Sequence, residues 1–212
     1  MSVPFRREAG ETGRLPALSD GVIAIVITLL VLDITVPTVP AGSPTSVVVE
    51  RIVEQWQDFF GFVLSFLVIG QYWVLHRRTF VYIETHERGV VSLNLVFLLL
   101  VAFIPYATSV FTTYPGRLGI VFLSGVLALT GYSLAILWLY ASRRDLIGTG
   151  VTSRAVQIRA AQYLASPLVF TAAIPVALVS PTAAILVWLL VIPINGALQL
   201  RLLSSLDDSQ GA

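Results

Sequence analysis

Apolar residues fall along this 212-residue chain in six long runs, separated by short stretches that are charged or carry proline and glycine. The first run is RLPALSDGVIAIVITLLVLDITVP, from Arg14 to Pro37. Ser19-Asp20-Gly21 opens it, Val22 to Leu32 is apolar but for Thr28, and Asp33 and Pro37 close it. As an α-helix, residues 15–36 would be about 33 Å long, which matches a hydrocarbon core of about 30 Å. The later runs predict helices over about 59–75, 90–110, 118–140, 160–179 and 181–200. A backbone inside a bilayer must satisfy its own hydrogen bonds. The expected fold class is therefore an all-α integral membrane protein with six transmembrane helices. Residues 14–201 form the membrane domain, and 1–13 and 202–212 read as polar tails. The first loop, 38–54, starts irregularly, and its Glu50, Arg51 and Glu54 suit a helix rising from the surface.

The first helix has two sides. At about 100° per residue, Ile25, Leu29 and Leu32 share one face, with Thr28 on its edge. Asp20 points well away from Ile25. An aspartate costs on the order of 3 kcal/mol at the centre of a bilayer, less near a helix end, and needs a partner wherever it sits. Ser19 and Asp20 are expected to face neighbouring helices. The aliphatic stripe by itself suits lipid, ordinary helix packing or a pore.

Composition supports the membrane assignment. Charged residues are 12% of the chain against about 25% in soluble domains. Mean hydropathy is +0.86. The net charge of +1 offers nucleic acid nothing. With no cysteine and two histidines, neither disulfides nor a structural metal site is expected. A mixed-charge segment precedes a long first run, so no cleavable signal peptide is expected. Arginine supplies every basic residue. Arg6, Arg7, Arg14, Arg77, Arg78, Arg88, Arg143, Arg144, Arg154, Arg159 and Arg201 fall on one side of the predicted topology, and only Arg51 and Arg117 on the other. The positive-inside rule puts both termini in the cytoplasm; the expected location is the cell's inner (plasma) membrane, which the chain crosses several times.

No enzyme constellation appears, nor a Thr-Val-Gly-Tyr-Gly filter. The chain is expected to be no enzyme and to need no cofactor. The two halves, 1–110 and 111–212, show no internal repeat of the kind many transporters carry.

The pattern Arg14-x-x-x-Leu18-Ser19-Asp20-Gly21 before an apolar helix resembles the first-helix signature of the transmembrane protein 175 family, with Leu18 where phenylalanine is usual. These are potassium channels of endolysosomes and their bacterial relatives. Trp73 and His76 near the end of the second run, and early Asn94 with late Pro105 in the third, extend the resemblance. It implies a homotetramer of six-helix subunits with the first helix lining a central pore and potassium as the permeant ion. The constriction then falls on Ile25, Leu29 and Leu32, with Thr28 beside it. Arg14, Ser19, Asp20, Trp73, His76 and Asn94 become a buried polar network that fixes the first helix. His76 is a candidate partner for Asp20 or Ser19, although an interfacial histidine is the plainer reading of its position alone. Removing one partner of a buried pair costs about 3–5 kcal/mol, so Asp20→Ala is expected mainly to harm folding or assembly. Asp33 suits either an outer cation-attracting mouth or a solvated helix end. Partners are other copies and membrane lipid. The competing readings are a proton-coupled transporter using Asp20 and His76, and a scaffold with no permeation.

Overall fold

The computed structural model describes residues 13–85, 87–148, 153–191 and 193–198. Helix α1 spans Arg14–Leu29 and tightens into a 3-10 turn at Leu30–Asp33. A short surface helix follows, α2 at Thr45–Glu54, and then α3 at Trp56–Tyr82. The long α4, Arg88–Thr113, and α5, Arg117–Arg143, come next. Helix α6 covers Ser153–Val179, and α7 covers Pro181–Leu189 and is followed by helical residues at 193–198. Six of these segments are long and apolar enough to cross a membrane. The predicted tails lie outside the described residues.

Several helices outrun their apolar runs. Helix α3 starts at Trp56, not near residue 59, and continues to Tyr82, not 75. His76-Arg77-Arg78 therefore lies inside a helix, almost two turns from its end, and not at its boundary. Helical hydrogen bonding does not stop where hydropathy falls. Proline does not end α4 either: the helix runs through Pro105 to Thr113. The Thr108 hydroxyl there bonds to Ile104 O at 3.0 Å and pairs with Ser65 of α3 at 2.7 Å. Ser180 caps α7, accepting from the Ala183 amide, with Pro181 at the first helical position.

The helices pack as a sequence of neighbours. α1 lies against α3 and α4, α4 against α5, α5 against α6, and α6 against α7. Gly119 sets the α4–α5 approach. A Cβ there would sit 2.3 Å from Tyr114 O and 2.7 Å from Phe111 Cα. At the arginine-rich end, Ile83 and Ile147 form an antiparallel bridge that joins the α3–α4 and α5–α6 connections. Glu84 N donates to Leu146 O, and Gly148 N to Tyr82 O.

Candidate functional site: the first helix and its anchor

Only one narrow face of α1 is buried in its own chain. Ser19, Ile23, Val26 and Leu30 follow helical spacing and pack inward, with Ile23 at 1% exposure, Val26 at 4% and Leu30 at 0%. Ile25 is 60% exposed, Leu29 44% and Leu32 71%. Thr28 shares their exposed side. Its hydroxyl donates to Ile25 O at 2.7 Å. That bond occupies the proton and leaves oxygen lone pairs directed away from the helix.

The inward face is tied down at one buried point. Asn94, in the second turn of α4, is wholly buried. Its Nδ2 donates to Ser19 Oγ at 3.0 Å, and Ser19 Oγ donates to Leu15 O at 2.9 Å. Asn94 Oδ1 lies 2.7 Å from His76 Nε2. A carbonyl oxygen only accepts, so Nε2 carries the proton. The imidazole is stacked on Phe97, with centroids 5.1 Å apart and planes 12° from parallel, and touches Phe80 at 4.6 Å. One asparagine thus joins three membrane helices, and each of its polar atoms has a partner.

Asp20 makes a separate contact. It accepts from Trp73 Nε1 at 2.7 Å, and Arg77 lies over that indole at 5.9 Å. Asp20 is at the exposed surface of the chain. The expected single buried network therefore divides in two: a buried Ser19–Asn94–His76 chain and an exposed Asp20–Trp73 pair. The 3–5 kcal/mol scale for a broken buried pair does not transfer to Asp20. Arg14 is also exposed and joins neither part. His76 reaches Ser19 through Asn94. Asp33 is exposed where the 3-10 turn ends, at the opposite end of α1 from Ser19.

A second polar seam escaped the sequence reading. Arg159, Gln162, Tyr163 and Ser166 recur at helical spacing in α6, and all four are buried. Arg159 donates to Tyr82 OH at 2.6 Å, Tyr163 pairs with Thr79 at 2.6 Å, and Ser166 accepts from Gln71 at 2.9 Å and Asn195 at 3.0 Å. Polar residues repeating every three or four positions in an apolar helix were the available signal. Arg159 falls just before the predicted start of its helix near residue 160, where a basic residue at a run's edge looks exposed.

Comparison with known proteins meets this geometry. The family model described as "Endosomal/lysosomal potassium channel TMEM175" matches residues 14–105, which hold α1, α3 and the part of α4 that carries the anchor. A potassium channel of Streptomyces collinus is 43% identical over 104 residues, 49% of this chain and 49% of that protein. The matched stretch thus spans about half the length of that relative. A potassium channel of Chamaesiphon minutus is 32% identical over 142 residues, 65% of this chain and 70% of the relative. The crystal structure of a lysosomal potassium-selective channel TMEM175 homolog from Chamaesiphon minutus superposes with a TM-score of 0.74 at 27% identity, covering 91% of this chain and 98% of that one.

Proposed function

Because this chain belongs to the TMEM175 family, we propose that it is a potassium-preferring cation channel, a homotetramer in which α1 of each copy lines a central pore. The observation that carries the reading is the division of α1. Its Ser19–Ile23–Val26–Leu30 face is committed to its own subunit, while Ile25, Thr28, Leu29 and Leu32 are left for something outside it. A helix anchored on one side and bare on the other can present the bare side to an axis.

The mechanism follows from that placement. Four Ile25 side chains around an axis make a narrow apolar ring, with rings of Leu29 and Leu32 farther along. Such a constriction closes by dewetting, since an ion cannot cross without water. A small tilt or rotation of α1 widens it. Thr28 oxygens, whose protons are bound to Ile25 O, then offer partial solvation to a cation. Potassium holds its water less tightly than sodium, so an apolar bottleneck penalises sodium more. The Ser19–Asn94–His76 chain sets the angle about which α1 moves. Four Asp33 carboxylates at the far mouth raise the local cation concentration. The arginine-rich end, with both termini, faces the cytoplasm across the plasma membrane.

A proton-coupled transporter would need Asp20 and His76 to exchange a proton. Trp73 holds the one and Asn94 the other, which favours a structural role for both. The test is potassium flux into liposomes holding the purified protein, wild type against Ile25→Asn. A changed rate or potassium-over-sodium preference in the variant supports the constriction. Unchanged flux moves the constriction elsewhere. Saturable flux that needs a proton gradient, or no flux at any pH or potential, rejects the channel.

A further inference from the structure

Helix α5 is buried along most of its surface, yet one lane along it is open. Leu129 and Ile136 are exposed at 56% and 52%, and seven residues after Ile136 comes exposed Arg143. At the arginine-rich end this lane runs into a groove of about 350 Å³ lined by Ile136, Leu139, Tyr140, Arg143 and Arg144. Arg144 lies over the Tyr140 ring at 5.8 Å, and its Nε is 3.8 Å from Glu87 Oε1. The Tyr140 hydroxyl also donates to Glu87. Arg143 makes no hydrogen bond or ion pair among the described residues.

We propose that this groove binds an anionic glycerophospholipid, its phosphate on Arg143 and Arg144 and an acyl chain along Ile136 and Leu139. Two features select this occupant. From Ile136 to Arg143 is about 10 Å along the helix axis, so the apolar wall lies in hydrocarbon while the guanidinium groups reach headgroup depth. A soluble anion would leave that wall empty, and the ammonium group of a zwitterionic lipid would offset its phosphate charge beside two guanidinium groups. Arg144 is already placed by Tyr140 and shares Glu87 only at long range, so a phosphate meets one oriented arginine and one with no polar partner among the described residues.

The experiment is native mass spectrometry of the delipidated full-length protein in detergent, titrated with phosphatidylglycerol or phosphatidylcholine of the same chains. We expect preferential retention of phosphatidylglycerol. Arg143→Gln, which breaks no hydrogen bond or ion pair among the described residues, should weaken it roughly fivefold, and Arg143→Gln/Arg144→Gln further. Arg117→Gln, at the opposite end, should leave it unchanged. Equal retention of the two lipids overturns the proposal. So does a preference untouched in both groove variants, an equal loss in Arg117→Gln, or displacement by inorganic phosphate alone.

Discussion

Helices α1 and α5 are almost equally apolar, yet α1 buries one stripe in the chain and α5 most of its surface. In water, two such segments would be buried alike. In a bilayer, lipid tails are as apolar as leucine, so hydrophobicity confers no preference for protein over lipid. Close packing and polar contacts decide instead. Helix α5 has both. Gly119 lets it approach α4, and Tyr72 OH reaches Leu127 O at 2.8 Å. Ser124 accepts from Trp188 Nε1 at 2.9 Å. Helix α1 has one inward stripe and one buried hydrogen-bonded chain. The scaffold is built on α5, and α1 is held along one face.

If that contrast is right, damage to α5 should be structural and damage to α1 functional. The largest effect is expected from Gly119→Ala, whose new methyl would run into backbone that cannot yield. We expect a loss of about 3 kcal/mol or more, seen as failure to recover folded protein in detergent. Gly125→Ala, on the same helix with open space beside it, is the control and should be recovered like wild type. Next comes Asn94→Leu, which strands the His76 Nε2–H in the core and leaves Ser19 only its bond to Leu15 O. It should cost about 2–3 kcal/mol in denaturant titration and also alter flux, since it frees α1. Ile25→Asn should leave the melting temperature within error while changing potassium-over-sodium preference in liposomes. A large stability loss there would place Ile25 in packing and break the contrast. The smallest effect is expected from Asp33→Asn: a lower cation flux at low ionic strength that vanishes at high salt, where the carboxylate field is screened. A deficit that persists at high salt would give Asp33 a direct contact with the ion.

Much of this was legible in the residues. Six apolar runs announced six spans, because a bilayer leaves a long apolar segment few other conformations. Position spacing put Ile25, Leu29 and Leu32 on one face. Ser19 and Asn94 stand out because polar groups are expensive in lipid, whereas His76 stands out only through the family resemblance. Their pairing does not. Which of several polar groups meet depends on helix rotation to within a fraction of a turn, and local sequence does not set that. So Arg14 is grouped with residues from which the fold separates it, and Asp20 keeps only Trp73 of that set. The α6 seam was missed for a related reason: Arg159 and Tyr82 look like boundary residues until two helices bring them 2.6 Å apart.

Composition and periodicity alone determined that the chain is helical, spans a membrane and carries a first helix with two unlike faces. These follow from backbone hydrogen bonding and the 3.6-residue repeat, both local properties. Tertiary structure decided that α3 runs on past His76, that Asn94 joins Ser19 to His76, and that the face left bare on α1 is the one bearing Ile25. Those outcomes depend on contacts between positions as far apart as Ser19 and Asn94, where only the packed helices set the distance.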